Sequence, residues 1–228
     1  MELTEALRTT GAIRDFTEQP VDDGVLARVL DTARFAPSGG NAQAWRVVVV
    51  RDPATRRRLG DLYRQGMTEY AAMAAAGLRP WAPTNDRDAE ARALAAAPGG
   101  DGTAAGGFAQ WFDRAPVLLA VFVDLSLLAA MDRDAARYSF AGGASIYPFT
   151  WNILLAARDQ GLGGVITTIL IRAEGDVKTL LGARDPLALA AVIALGYPVR
   201  QPHRLSRAPV SAFATVDSVD GPVFGASG

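Results

Sequence analysis

The chain has 228 residues, half of them apolar, which is enough for one substantial hydrophobic core. A formal charge of -1 and a pI near 5.9 give no general attraction to nucleic acid or to anionic lipid. With no cysteine and a single histidine, His203, the sequence excludes disulfides, thiolate nucleophiles and histidine-rich metal cages, so any redox chemistry needs a bound cofactor.

The first predicted elements are two helices. Apolar spacing over residues 2–8 predicts a short helix that ends near Thr10. A second apolar stripe runs from Val21 to Ala33, with Asp22 placed to cap the helix. This second helix delivers the chain to a polar loop.

That loop reads Pro37-Ser38-Gly39-Gly40-Asn41-Ala42-Gln43. Four consecutive valines follow it, Val47 to Val50, and predict a strand that is buried on both faces. Polar side chains on a glycine-loosened backbone are suited to hold a ligand. On composition alone, an ordinary helix-to-strand turn is the simpler interpretation.

The middle of the chain is the least regular part. After Asp52-Pro53 we expect a helix with a solvated basic face, Arg56 to Arg58. Residues 71–107 are rich in Ala, Gly and Pro without a long periodic element, which indicates an excursion from the core, either a lid or a simple insertion. Aromatic side chains favour a lid, because exposed rings without a partner are costly. They are Trp81, Phe108, Trp111 and Phe112.

The second half alternates strands and helices. Ile146 to Ala157 is apolar nearly all round and closed by Gly161, so this helix belongs inside the protein or in a subunit interface. From Val199 the periodicity is lost, which indicates an extended arm. Three apolar runs of strand length are Pro116–Val123, expected beside the valine strand, Val165–Leu170 and Ala190–Leu195.

Motifs for phosphoryl and acyl transfer are missing. There is no Gly-x-x-x-x-Gly-Lys loop and no Gly-x-Ser-x-Gly elbow. The run Gly100-x-Gly102-x-x-Ala105 fits a dinucleotide-binding pattern, but no strand precedes it, so we interpret the match as accidental. His203 follows a proline in the arm and is interpreted as a surface histidine. The remaining cationic and amide groups are what a bound redox cofactor requires.

The loop and Trp45 together form the run Pro37-Ser-x-Gly-Asn-x-Gln-x-Trp45, which resembles the flavin-contacting loop of the nitroreductase family of FMN oxidoreductases. Thr10 and Ala12 stand where the family pattern has Arg and Ser. Further matches are Ile13-Arg14-Asp15-Phe16 with Pro20-Val21, the apolar helix before Gly161-Leu162-Gly163, and the strand end Gly196-Tyr197-Pro198.

The resemblance implies an α+β fold with a central, mostly antiparallel sheet flanked by helices. It implies a single domain over residues 1–228, with a lid at about residues 71–107 and a C-terminal arm at about 199–228. Members of this family form intertwined homodimers with a flavin at each interface. A homodimer with two FMN sites is therefore expected.

The resemblance also assigns roles to individual residues. FMN phosphate is expected to meet Arg8, Arg14 and Arg207, with Arg204 in reserve, because planar guanidinium groups are strong partners of phosphate. Loop residues expected to approach the flavin from the partner subunit are Pro37, Ser38, Gly39, Gly40 and Asn41, with Gln43 as a support. Residues whose backbone is expected to face the flavin ring are Gly164, Val165, Ile166, Thr167 and Thr168. Substrate and lid residues are Tyr70, Trp81, Phe108 and Trp111.

The implied activity is hydride transfer from NAD(P)H through flavin N5 to an electron-poor acceptor, such as a nitroaromatic or a quinone, by a ping-pong mechanism. It needs no catalytic side chain and no metal. Alternatives are a specialised relative, such as a reductive dehalogenase or a flavin-consuming protein, and a non-catalytic flavin-binding protein. Short apolar runs and an acidic N-terminus without a signal core predict a cytoplasmic protein without membrane partners.

Overall fold

Four apolar runs form one antiparallel sheet in the computed structural model, which describes residues 1–97 and 106–225. The strands are β1 (Trp45–Val49), β2 (Val117–Asp124), β3 (Gly163–Thr167) and β4 (Leu187–Gly196), in the order β1-β2-β4-β3. Helices of the described residues are α1 (Leu3–Thr9), α2 (Asp23–Ala33), α3 (Pro53–Ala75), α4 (Arg87–Ala95), α5 (Tyr147–Asp159) and α6 (Glu174–Leu181). The predicted α+β class and antiparallel sheet are confirmed.

Helices cover both faces of the sheet. Along β2, Leu119 and Val121 belong to a core shared with α2 and α5, whereas Leu118 and Phe122 belong to a core shared with α3 and α6. Successive side chains of a strand point to opposite faces, so a strand between two layers of helices is apolar at every position. This explains why β2 is a continuous apolar run.

The two edges of the sheet differ from each other. The prediction that the valine strand is buried on both faces is wrong: β1 pairs only with β2 among the described strands, Val47 to Val49 are half-buried, and Arg46 is exposed. At the other edge, the Ile13 N–H donates to the Gly164 carbonyl oxygen at 2.8 Å, beside β3. The residues around Ile13 therefore extend the sheet at β3.

The same N-terminal segment also holds the tail. The Gln201 side chain donates to the Thr9 carbonyl at 3.1 Å, and the Thr17 N–H donates to the Tyr197 carbonyl at 2.8 Å. A side chain at Gly11 would lie 2.8 Å from Leu205. As a result, α1, the residues after it and the beginning of the C-terminal arm lie together.

The predicted excursion contains more regular structure than expected. Helix α3 continues to Ala75, and α4, capped by the Asp86 side chain, packs against it. On α4, the buried Glu90 accepts hydrogen bonds from Asn85 at 2.8 Å and from Arg87 at 2.7 Å. Because α4 is held in part by this buried carboxylate, its sequence lacks the apolar periodicity that would predict a helix. The Gly100–Ala105 motif match lies outside the described residues.

Three smaller predictions are also corrected. Arg56 is not part of a solvated face: it is half-buried and donates to backbone carbonyls. Phe112 is fully buried, with its ring stacked on that of Tyr63 at 4.2 Å. Strand β3 ends at Thr167, and residues 169–173 form a 3-10 helix instead of continuing the strand.

None of the described helices has the length and apolar content to cross a membrane.

Candidate functional site

The polar loop between α2 and β1 is held by specific hydrogen bonds. The Gly39 N–H donates to the Ser145 Oγ at 3.0 Å, and the Gln43 N–H donates to the Ser38 Oγ at 3.0 Å. Asn41 and Gln43 have φ angles of 55° and 49°, in the left-handed region that residues other than glycine rarely adopt. Both side chains are exposed. The loop thus presents two polar side chains to solvent on a strained but well-bonded backbone.

Three of the predicted phosphate ligands come together in one cleft. Arg8, from the last turn of α1, lines a cleft of about 500 Å³ with Arg204 and Arg207 from the C-terminal arm. His203 lines it too, so its interpretation as an isolated surface histidine missed this neighbourhood. Within residues 1–97 and 106–225, none of the four forms an ion pair with a carboxylate.

Close in sequence to Arg8 lies a buried polar atom without a partner. Among the residues that the structure describes, the Thr10 Oγ1 has no hydrogen-bond partner, and neither does the Oε1 of Gln201, whose Nε2 donates to the Thr9 carbonyl at the end of α1. Buried polar atoms are normally hydrogen-bonded, so two orphans in this region are consistent with an absent polar ligand. A phosphate monoester, close to a dianion at neutral pH, fits the charge and the hydrogen-bonding capacity of this cleft.

Arg14 lies elsewhere, in a cleft of about 670 Å³ that Phe108 and Trp111 also line. Burial raises the pKa of the Tyr63 hydroxyl, and the Thr167 side chain and the positive charge of Arg14 partly oppose that rise. Tyr63 is thus a buried polar group whose electrostatic surroundings include Arg14 and the end of β3. Sequence analysis missed it, because it belongs to the apolar face of α3.

The four predicted lid residues form two separate groups. Tyr70 and Trp81 lie with ring centroids 6.1 Å apart, and the Arg172 guanidinium carbon lies 5.3 Å from the Trp81 ring. Phe108 instead packs edge-on against Phe16 and Tyr63, next to Trp111 in the Arg14 cleft. In the first group, the Trp81 Nε1 is buried without a hydrogen-bond partner.

The polar loop and the β3 backbone lie at opposite corners of the sheet. Trp45 pairs with Val123, which pairs with Ala188 of β4, whereas Thr167 pairs with Val192, four residues further along β4. Strand geometry places the loop about 13 Å from Thr167 along the strands and about 14 Å across the sheet. Gly164 is further still, since it pairs with Leu195. Within one chain these two groups cannot contact the same face of one small ring system.

Comparison with known proteins gives a consistent result. A model of the Nitroreductase family matches residues 7–197. An NADH dehydrogenase of Thermus thermophilus is 33% identical over 200 residues, which span 87% of this chain and 88% of that protein. A 5,6-dimethylbenzimidazole synthase of Rhodobacter capsulatus is 30% identical over 197 residues, 86% of this chain and 83% of the synthase. The solved structure of an NADPH:FMN oxidoreductase of Vibrio harveyi, complexed with NAD+, superposes with a TM-score of 0.65 at 20% identity, covering 94% of this chain and 76% of that one.

Proposed function

Because the chain belongs to the nitroreductase family, we propose that it is an FMN-dependent oxidoreductase that carries hydride from NAD(P)H to an electron-poor acceptor, such as a nitroaromatic or a quinone. The enzyme class and the cofactor follow from the family. The acceptor class and the ping-pong order are further parts of the proposal. The observation that carries it is the cleft lined by three arginines and His203, close in sequence to two buried polar atoms that lack partners among the described residues.

In this proposal the α1 end and the C-terminal arm hold the cofactor phosphate. Arg8, Arg204 and Arg207 present fixed positive charge, and His203 adds a hydrogen-bonding group. Planar guanidinium groups bind phosphate through paired, charge-assisted hydrogen bonds, which are stronger than neutral ones. Thr10 offers a hydroxyl where the family pattern has an arginine, so the arm arginines carry more of the phosphate charge.

The end of β3 forms the second part of the proposed site. When bound, FMN would supply hydride acceptance and donation at N5. Arg14 places a positive charge where negative charge develops on the reduced flavin, and the backbone of residues 164–168 supplies N–H and carbonyl groups for orientation. No side chain needs to act as a nucleophile.

A second copy of the chain completes the site in this proposal. The polar loop and β3 are too far apart in one chain to share a flavin, so the loop is assigned to the cofactor of the partner in a homodimer. Exposed apolar side chains near the loop and on the arm support an interface in these regions. They are Met131, Tyr138, Phe140, Phe213 and Phe224. A cytoplasmic location, where NAD(P)H is available, is part of the same proposal.

Anaerobic spectroscopy of the purified protein tests the proposal. We expect a yellow protein with flavin absorbance, which NADPH or NADH bleaches and which a quinone or nitroaromatic then restores. A colourless protein that takes up no added FMN would refute the cofactor assignment. A yellow protein that dithionite bleaches but neither nicotinamide does would instead be a non-catalytic flavin-binding protein.

A further inference from the structure

Two clefts with a shared wall lie at the start of α3. Arg114, Ala115 and Pro116 line both the Arg14 cleft and a second cleft of about 540 Å³. In the second cleft, four arginines face a single carboxylate. They are Arg51, Arg56, Arg57 and Arg114, with Asp113 as the carboxylate.

Only part of this positive charge is already used. Arg51 pairs with Asp23, and Arg56 donates to main-chain carbonyls. Asp113 lies 3.8 Å from Arg64, so its charge is partly balanced from outside the cleft. Arg57 and Arg114 make no ion pair with any residue in the described parts of the chain. Two guanidinium groups therefore remain available to an anion.

The Arg14 cleft carries an aromatic surface beside Arg114 of the shared wall. The Trp111 side chain is 55% exposed, and the Arg114 guanidinium carbon lies 5.0 Å from the centroid of its ring. Exposed tryptophan beside arginine is a suitable platform for a planar base, because stacking and cation–π contacts add together. Phe16 and Phe108 line the same cleft.

Charge decides how a ligand would lie across the two clefts. Asp15 and Glu18 line the Arg14 cleft but not the second cleft, and they disfavour a dianion in the first. The second cleft has the unpaired Arg57 and Arg114. A planar, uncharged base thus belongs beside Trp111, and a phosphate belongs between Arg57 and Arg114.

We infer that the two clefts bind the adenosine half of NADPH, with the adenine beside Trp111 and the 2′-phosphate between Arg57 and Arg114. This inference rests on the proposed function, since it selects the hydride donor of that site. Arg14 lines the first cleft, and its neighbour Ile13 donates to the Gly164 carbonyl oxygen of β3, so the nucleotide site adjoins the proposed flavin site. NADH lacks the 2′-phosphate and gains nothing from Arg57 and Arg114.

Calorimetric titration of the FMN-loaded protein with 2′,5′-ADP and with 5′-AMP tests the site apart from catalysis. We expect 2′,5′-ADP to bind at least tenfold more tightly than 5′-AMP. Arg57→Ala and Arg114→Ala should each weaken 2′,5′-ADP by about tenfold or more, because each loses a charge-assisted contact with the 2′-phosphate. In Arg57→Ala, binding of 5′-AMP should change less than about twofold, whereas Arg114→Ala also loses the cation–π pair at Trp111 and should weaken both nucleotides. Arg58→Ala, an exposed neighbour on the same helix that lines neither cleft, is the matched control.

Steady-state kinetics give the second readout. In Arg57→Ala, kcat/KM should fall about tenfold with NADPH and stay within about twofold with NADH, at unchanged FMN content. Equal binding of 2′,5′-ADP and 5′-AMP by the unaltered protein would overturn the inference. An equal fall in the kcat/KM of Arg57→Ala with NADPH and with NADH would overturn it as well. In either case bleaching by NADH would leave the proposed function standing. A protein that binds no FMN but still prefers 2′,5′-ADP would refute the proposed function and leave the nucleotide site standing.

Discussion

Arg56 and Arg57 are adjacent in sequence, yet the structure gives them different tasks. Arg57 points into the second cleft without an ion-pair partner in the described structure, whereas Arg56 joins the start of α3 to the segment before β2. The Arg56 guanidinium donates to the carbonyl oxygens of Asp113 at 2.9 Å and Val50 at 3.2 Å, and also to that of Ala115. Burial lowers the pKa of Arg56, but the group stays charged at any ordinary pH.

Arg56→Ala is therefore expected to destabilise the fold by about 2–4 kcal/mol, because three carbonyls lose a charged donor at once. Denaturant unfolding measures this loss. The exposed Arg58→Ala should change the free energy of unfolding by less than about 0.5 kcal/mol. Similar values for the two variants would mean that the three hydrogen bonds contribute little.

Arg14→Ala tests the contribution of a single side chain to the proposed FMN site. Loss of one charge-assisted contact should weaken FMN binding by about tenfold or more, with little change in the free energy of unfolding of the apoprotein. Fluorescence titration of the apoprotein with FMN measures the affinity. Unchanged affinity would assign the cofactor entirely to the cleft formed by Arg8, Arg204 and Arg207.

At the scale of elements, the polar loop holds two residues other than glycine, Asn41 and Gln43, in the left-handed region of φ. A glycine at position 43 would relieve the strain at one of them. A left-handed backbone costs a non-glycine residue about 1–2 kcal/mol, and glycine loses about 0.5–1 kcal/mol of that gain through chain entropy. Gln43→Gly should thus leave the apoprotein equally stable or up to about 1 kcal/mol more stable, while FMN retention falls. Thermal unfolding with and without FMN measures both effects. A less stable apoprotein would show that the Gln43 side chain supports the loop itself.

The loop between β2 and α5 depends on one carboxylate. Asp132 accepts hydrogen bonds from the Phe140 N–H at 2.9 Å, from Arg137 at 2.7 Å and from Ser139 at 2.9 Å. These donors, with the Phe140 N–H first, hold the pKa of Asp132 far below its usual range. The folded chain therefore binds fewer protons here than the unfolded chain in acid.

Asp132→Asn should for this reason be less stable than the unaltered protein at neutral pH. The difference should be full above the ordinary pKa range of an aspartate, near pH 4, and should shrink as the pH falls below it, because the unfolded chain then takes up a proton at Asp132 that the folded chain does not. Urea unfolding of both proteins between about pH 7 and pH 3 measures it. A difference that is independent of pH would assign the loss to packing instead of charge.

At the scale of the whole molecule, the sequence predicted most strands and helices because their apolar spacing is strong. The β2 run and the α5 stripe are examples, and both lie within two residues of the predicted bounds. Helix α4 was missed, since its anchor is the buried carboxylate of Glu90. The length of β3 was overestimated, because β-branched residues continue into a 3-10 turn after Thr167.

The candidate site could be predicted from the sequence less completely than the fold. Family resemblance pointed to Arg8, Arg204 and Arg207, which do share a cleft, but no local pattern says that Arg14 lies in another one. Three arginines in a row, as at Arg56, look the same in a sequence whether carbonyls or water surround them. Contacts between residues distant in sequence decide such cases, and the FMN roles of all these residues stay predictions.

The proposed homodimer is tested by charging the arm. Phe213 and Phe224 are 72% and 57% exposed in the single chain, and an aspartate at either should cost little unless a partner covers it. Phe213→Asp is expected to shift the protein toward monomer in light scattering and to reduce its FMN content. Ala91→Asp, which places the same charge on an exposed position of α4, should do neither. A monomeric unaltered protein that binds a full complement of FMN would refute the shared site.

The contacts between the two ends of the chain also determine when the protein can finish folding. Residues around Ile13 pair with β3, Thr17 bonds to Tyr197, and Thr9 is held by Gln201, so each waits for a segment that leaves the ribosome much later. Non-local pairing slows folding, and a nascent chain keeps its unpaired segments exposed in the meantime. The α2 helix and the polar loop, in contrast, find partners in the middle of the chain, in α5 and in Ser145. During synthesis, the arginine-bearing start of the chain should be the last part to become ordered.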